Sequence, residues 1–237
     1  MPKIVTAMIL AAGRGTRMGA LTDSKPKPLM EVKGKSLLDY ICLKLSHYGI
    51  QKVVVNTAYK GNMIKEALEN APVPIVFSDE EQALETGGGI QNALPLLLPD
   101  GQEGLFVINA DALWDEPTQP VFERLAQAWN PDEMDFLLAF VPKSQAIGDN
   151  GRGNYFVENG KPRRIGAQEA DAPYFYMGVH ILHPRVFENA PGGVFSLRDL
   201  FDKAQQNGRL RYVTHDGSWY HVGTPDALQE ANDRFVP

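Results

Sequence analysis

The chain has 237 residues, with 23 Lys and Arg against 29 Asp and Glu, and a formal net charge of −6. It is 43% hydrophobic and 22% charged, ordinary for a globular protein, and its acidic balance argues against nucleic-acid binding as the main role. The single cysteine, Cys42, excludes an internal disulfide and a cysteine metal cluster, and no apolar run approaches the ~20 residues of a membrane span. The first apolar stretch begins at Ile4, which leaves no room for a signal peptide; a cytoplasmic protein with no membrane partner is expected.

An apolar strand over 4–10 empties into Gly13-Arg14-Gly15-Thr16-Arg17, and Lys25-Pro26-Lys27-Pro28 follows. Glycines let backbone N–H groups approach phosphate oxygens without interference from a Cβ. Arg14, Arg17, Lys25 and Lys27 gather four positive charges in a short span, which suggests a polyanionic small ligand. The glycines alone also fit a βα turn that needs positive φ. Gly13-x-Gly15 lacks the third glycine of the dinucleotide fingerprint, and no Gly-Lys-Ser/Thr follows. The two prolines bias Lys25 and Lys27 towards extended geometry and so give each lysine one direction.

Next come a helix over 37–48, with Cys42 on its core side, a buried strand at 53–55, a helix over 61–70 and a strand at 75–77. A helix over 88–97 and a strand over 105–108 follow. This alternation predicts an α/β fold, a Rossmann-like, mostly parallel sheet flanked by helices with right-handed crossovers. Ligands in such sheets bind beyond the carboxyl ends of the strands. The first loop, residues 78–89 and Asn109-Ala110-Asp111 all follow strands, so they can meet in one crevice.

The second half is less regular. A strand over 136–140 leads to a polar, glycine-containing loop over 143–154. Strands over 155–157 and 176–182, a helix over 197–207, short strands over 211–213 and 219–222 and a closing helix over 224–235 follow. With no repeat or linker, the expectation is one domain over 1–237: a nucleotide-binding half, 1–140, and a substrate-binding elaboration, 141–237.

Glu85-Thr86-Gly87-Gly88-Gly89 precedes the helix predicted over 88–97. Each glycine costs about 0.5–1 kcal/mol against alanine in a regular element, so something should require three. One reading is close approach of backbone to a base or ribose, with free N–H groups at a helix start. The other is a plain helix entry with Thr86 as N-cap. Asp111, just past a strand, stands where a carboxylate can hold a magnesium-bound phosphate, and equally where a turn residue would. Thr224 is placed to cap the closing helix, with Pro225 at its first position. His221 before them is either a packed histidine or a ligand, and His47, His180, His183 and His215 form no metal spacing.

Taken together, residues 8–235 resemble the nucleotidyltransferases that make nucleotide sugars from a nucleoside triphosphate and a sugar-1-phosphate. Leu10-Ala11-Ala12-Gly13-x-Gly15-Thr16-Arg17-Met18 resembles their signature loop, Pro26-Lys27-Pro28-Leu29 their lysine segment, and Leu84-Glu85-Thr86-Gly87-Gly88-Gly89 their base-binding loop. Asn109-Ala110-Asp111 resembles their metal aspartate and Gly223-Thr224-Pro225 their closing turn. Within the family the likeness is to the short N-acetylmuramate-1-phosphate uridylyltransferases of cell-wall recycling, with short mannose-1-phosphate guanylyltransferase-like proteins close behind.

The resemblance implies in-line attack of a sugar-1-phosphate on the α-phosphorus of the triphosphate, with release of pyrophosphate. It implies catalytic roles for Arg17 and Lys27. The nucleotide would be framed by Ala12, Gly13, Gly15, Thr16, Glu85, Gly88 and Asn109, and the sugar by Asn154 and Gly178. Asp111 and His221 would hold Mg2+, or Mn2+ as the alternative. The partners are thus small-molecule substrates; nothing in the sequence speaks to oligomeric state.

There are two departures from the family. His221 stands where an aspartate is common, and imidazole is a poor magnesium ligand. No Glu-Lys-Pro segment precedes Tyr176, which leaves Lys161, Arg163 and Arg164 as substitutes, although Lys161-Pro162 after Asn159-Gly160 reads first as a hairpin. The base is open on the residues: an ionised Glu85 only accepts hydrogen bonds and suits guanine, whereas the nearer likeness favours UTP, the expectation kept here. The rival from another class is a nucleotide-binding regulatory protein without turnover.

Overall fold

The computed structural model describes residues 4–97 and 103–236. In chain order its elements are β1 (Thr6–Leu10), α1 (Leu21–Ser24), β2 (Glu31–Val32), β3 (Lys35–Ser36), α2 (Leu37–Tyr48), β4 (Lys52–Thr57), α3 (Gly61–Ala67), β5 (Ile75–Asp79), α4 (Glu85–Leu97), β6 (Leu105–Asn109) and β7 (Ala112–Trp114). Then come α5 (Val121–Ala128), β8 (Phe136–Pro142), β9 (Ala146–Ile147), β10 (Tyr155–Glu158), β11 (Lys161–Arg164), β12 (Tyr174–Leu182), α6 (Leu197–Gln206), β13 (Leu210–Thr214), β14 (Trp219–His221) and α7 (Pro225–Arg234).

The parallel sheet expected of the first half is present, in the order β5-β4-β1-β6. β12 adds antiparallel to β6 and carries the sheet into the second half, where β8, β10, β11 and β13 join it. The central strands β1, β4 and β6 are buried on both faces, which is why they read as unbroken apolar runs, whereas the edge strand β5 is only half-buried,. Ala7, Ile9, Val53 and Val55 face one core; Met8 and Val54 face the other, below α4 and α6. Each fully buried aliphatic side chain contributes roughly 1.5–3 kcal/mol. Among the described residues no helix is long and apolar enough to cross a membrane.

Local signals set several boundaries. Ser36 and Asp39 form a capping box that starts α2, and Gly49, at φ +89°, ends it,. Thr224 caps α7 by accepting from the Ala227 N–H, with Pro225 at the first position. Asn159 and Gly160, both at positive φ, turn β10 into β11 as a hairpin. Helix α5 has no counterpart among the sequence expectations; Val121, Phe122 and Leu125 bury one face of it.

The β5–α4 junction requires a correction. α4 begins at Glu85, so the three glycines lie within the helix rather than before it. Thr86 is not its N-cap; its hydroxyl accepts from the Leu197 N–H at 2.9 Å.

Two small features decide what reaches the ligand side of the sheet. β14 pairs antiparallel with β7, His221 opposite Ala112, and parallel with β9. The first pairing sets His221 beside Asp111; the second brings the residues just past Ile147 to the same spot. A register shift between Tyr176 and His180 places Gly178, at φ +80°, against Asn109.

Candidate active site

The carboxyl ends of β1, β4 and β6 meet at Lys27. It is 92% buried, and its ammonium lies 2.7 Å from Asp111 Oδ2. A Cβ on Gly15, which sits at φ +69°, would stand 2.9 Å from the Lys27 side chain; the glycine lets the first loop close over the lysine. Asn56 at the end of β4 fastens that loop: its Oδ1 accepts from the Ala11 N–H at 2.7 Å, and its amide donates to Glu80 at 2.7 Å. Glu80 in turn accepts from the Leu84 N–H at 2.9 Å, which ties the start of α4 to the same cluster.

His221 stands between two acids. Nδ1 lies 2.9 Å from Asp149 Oδ2 and Nε2 3.6 Å from Asp111 Oδ2, with the ring stacked on Trp219. Burial alone would lower its pKa, but Asp111 and Asp149 outweigh burial and raise it to about 9. Burial would raise Asp111; His221 and Lys27 overcome it and hold the carboxyl well below the usual range. Asp149 is likewise lowered, against burial, by His221, the Gly151 N–H and Arg17. The cluster is therefore one of charges, two anions facing an imidazolium and an ammonium.

Two cavities open on it. The smaller, about 280 Å³, is lined by the first loop, Lys27, Asn56, Glu80 and Asn109. The larger, about 810 Å³, is lined by Arg17, His221, the segment 151–155 and residues of β12 and α6. Leu10, Glu85, Thr86, Asn109 and Asp111 belong to both.

A family profile described as nucleotidyl transferase matches residues 6–236. The chain belongs to the nucleotidyl transferase family. It is 39% identical over 242 residues to an N-acetylmuramate alpha-1-phosphate uridylyltransferase of Caulobacter vibrioides, an alignment covering 99% of this chain and 98% of that protein. It is 34% identical to the protein of the same name from Neisseria meningitidis serogroup B, across 95% and 96% of the two chains. A UDP-glucose pyrophosphorylase solved with UDP-glucose shares the fold at a TM-score of 0.80 and 19% identity, over 98% of both chains. HddC from Yersinia pseudotuberculosis, solved with GMP-PN, does so at 0.78 and 22%, over 98% of this chain and all of that one. The chain is a sugar-1-phosphate nucleotidyltransferase, and its fold class is the one expected from the sequence.

Within this nucleotidyltransferase fold, the structure brings most of the expected site residues together. Ala12, Gly13, Gly15, Lys27, Glu85, Asn109 and Asp111 line the smaller cavity, and Arg17, Asn154, Gly178 and His221 the larger. Thr16 and Gly88 line neither. A Cβ on Gly88 would fall 2.0 Å from the Gly193 carbonyl oxygen, and one on Gly87 2.3 Å from the Phe195 ring. Both of their N–H groups bond the Phe195 carbonyl. The glycines answer to a packed segment, and those N–H groups are not free at a helix start.

The four cations of the first segment also divide. Lys25 is extended, as expected, but pairs outward with Glu31. Lys27 opens a short 3-10 turn instead of an extended segment. Arg14 lies over the Tyr59 ring. Of the substitutes for the sugar-phosphate segment, Arg163 pairs with Glu158 and Glu169, and Arg164, in the larger cavity, pairs with Asp202. Cys42 is buried core, and burial pushes its thiol up to about 12.

Sequence reasoning missed Asp149, Asn56 and Glu80. Asn56 and Glu80 end or follow parallel strands, so the rule that picked out Asp111 could have found them. Asp149 lies 72 residues from His221, and only the β9–β14 pairing brings the two together.

Proposed function

We propose that the chain joins UTP to N-acetylmuramate α-1-phosphate and releases pyrophosphate. The observation that carries this reading is the charged cluster of Lys27, Asp111 and His221 at the junction of two confluent cavities. The smaller cavity would take the nucleoside, framed by Ala12, Gly13, Gly15, Glu85 and Asn109. The larger would take the sugar, against Asn154 and Gly178. The names of the two relatives at 39% and 34% identity support the choice of base and sugar.

A sugar-phosphate oxygen attacks the α-phosphorus, the bond from that phosphorus to its bridging oxygen breaks, and pyrophosphate leaves with the electron pair. No covalent intermediate on the protein is needed, so the residues position the reactants and offset charge. Lys27, which lines the smaller cavity and pairs with Asp111 at the border of both, would bridge the phosphates of the two substrates. Arg17, free of any ion-pair partner within the described residues, is available for the charge that grows at the α-phosphate. Gly88 acts through packing against Gly193, and Thr16, exposed in the first loop, would reach the nucleotide only from the cavity's rim.

Nucleotidyltransferases of this family generally depend on a divalent metal. The donor set fits magnesium: Asp111 offers a hard carboxylate whose Oδ1 has no ion-pair partner among the described residues,. The ion would neutralise triphosphate charge. His221 would join as a ligand only after losing the proton that its two acids favour, and manganese is the ion such a nitrogen would suit.

The test is pyrophosphate release from a panel of nucleoside triphosphates and sugar-1-phosphates, with UTP and N-acetylmuramate α-1-phosphate expected to be fastest. Nucleotide binding without release from any pair would overturn the proposal in favour of a regulatory protein. A faster rate with GTP would support the second reading, which rests on Glu85: it lines both cavities, and its carboxylate has no hydrogen-bonding partner among the described residues.

A further inference from the structure

We infer that Arg198 reads a carboxylate on the sugar, apart from the phosphate that reacts. The inference rests on the proposed sugar class and names the residue that selects it.

Four arginines line the larger cavity: Arg17, Arg152, Arg164 and Arg198. Three have identifiable surroundings. Arg164 forks onto both oxygens of Asp202. Arg152 donates to the Ala167 and Glu169 carbonyls at 3.2 and 3.0 Å. Arg17 lies on the His221 side, where it lowers the pKa of Asp149. The Arg198 guanidinium has no acid and no carbonyl acceptor among the described residues, and the acid one turn along its helix, Asp202, is committed to Arg164.

The main chain around Arg198 offers an anion nothing further. The Leu197 N–H is taken by Thr86 and the Arg198 N–H by its cap, Ser196. What remains is the side chain, carried on the first turn of a ten-residue helix. The Thr86 bond fixes that turn to a residue shared by both cavities, so the guanidinium is presented from a rigid element at a set place relative to the nucleotide pocket.

On a sugar that bears only hydroxyl and acetamido groups a guanidinium finds neutral acceptors alone, whereas a carboxylate offers a charge-assisted pair roughly twice as strong per bond. N-acetylmuramate differs from N-acetylglucosamine by a lactyl ether that ends in a carboxylate. A guanidinium meets a carboxylate through two parallel hydrogen bonds. The reacting phosphate already has Lys27 and Arg17 at the other side of the cluster. The unpartnered arginine therefore fits the one acidic group that separates the two sugars.

The test compares kcat/KM for N-acetylmuramate α-1-phosphate and N-acetylglucosamine α-1-phosphate with UTP, in the wild type and in Arg198→Ala. Calorimetric binding of the two UDP-sugars gives a separate affinity ratio that does not depend on turnover. The wild type decides the sugar class: no preference for the acidic sugar would sink the proposed function and this inference with it. Given that preference, Arg198→Ala should lower the ratio by roughly 10- to 100-fold, the effect of losing a hydrogen-bonded charge, and through KM more than kcat. Arg198→Lys should recover part of it, since the charge stays and the fork is lost. An unchanged ratio overturns the inference. So does an equal loss on both sugars in Arg198→Ala and Arg198→Gln, which would make Arg198 a phosphate contact or a structural residue.

Discussion

Two loops of this molecule look alike on paper, Gly13-Arg14-Gly15-Thr16-Arg17 and Gly151-Arg152-Gly153-Asn154. Each contains a glycine at positive φ forced by close approach: Gly15 over Lys27, and Gly153, at φ +75°, where a Cβ would lie 2.2 Å from the Ala172 carbonyl oxygen. Their supports differ. The first follows a parallel strand buried on both faces and is pinned at Ala11 by Asn56 from the neighbouring strand. The second lies between β9 and β10 and is held to β12 through Asn154, whose N–H donates to the Tyr174 carbonyl and whose Oδ1 accepts from the Tyr176 N–H. A glycine–arginine loop at the end of a parallel strand faces the ligand by topology. The same composition between β9 and β10 faces it only because distant strands pair there, β9 with β14 and β10 with β12.

If that contrast holds, the first loop should carry chemistry more than stability. Arg17 is exposed and has no ion-pair partner among the described residues. Arg17→Ala should lower kcat by about 10²-fold or more, as loss of an electrostatic donor does, and leave the melting temperature within a degree or two. Steady-state pyrophosphate release and a thermal melt measure both. Near-normal turnover would remove Arg17 from the mechanism and break the contrast at its strongest point.

The glycines of α4 should behave in the opposite way. A methyl group on Gly88 must displace the Gly193 carbonyl, and overpacking of that kind costs about 1–3 kcal/mol. Gly88→Ala should therefore melt well below the wild type, with KM for the triphosphate little changed where the protein remains folded. An unaltered melt with a large rise in KM would restore the reading of these glycines as a base-binding surface.

How far the sequence could be read follows from the same physics. Asp111, Asn109 and Glu85 were legible because each sits just past an apolar run or at the entry to an amphipathic one, and parallel β-α order delivers such positions to one edge; Lys27 was legible from its place between two prolines in a cationic segment. Asp149 and Arg198 were not, because their places depend on the β9–β14 pairing and on the Thr86–Leu197 bond, contacts across 73 and 111 residues. The glycine run at 87–89 was misread because its three residues meet the 193–195 segment and the Asn56–Glu80 pair, which no local pattern announces.

The cluster joining the halves has its own signature. His221 in the folded protein is raised to about 9, against ~6.5 for a free histidine. The folded state therefore holds a proton that the unfolded state releases between those values. The resulting stabilisation is complete below pH ~6.5 and lost as pH rises through 9, on the order of 1–3 kcal/mol. Melting curves of metal-free wild type and His221→Gln from pH 6 to 10 check this: the wild type should fall relative to the variant across that window. Parallel curves would show that the two acids do not hold a proton on the ring.

The smallest expected effect concerns the base. Glu85 is held at φ +59° at the start of α4, a backbone region disfavoured for side chains other than glycine and often found at ligand sites. Its ionised carboxylate can only accept hydrogen bonds. Guanine presents two adjacent donors to such a group, whereas uracil presents one donor between two acceptors. Glu85→Gln keeps an acceptor and adds a donor, so it should move the UTP-to-GTP ratio of kcat/KM towards UTP by roughly five-fold, the size of one ordinary hydrogen bond. The backbone strain is the same in both variants, so a shift in the ratio isolates the side chain. An unchanged ratio with an altered melt would place Glu85 in the helix entry instead, and the choice of base would then belong to the first loop.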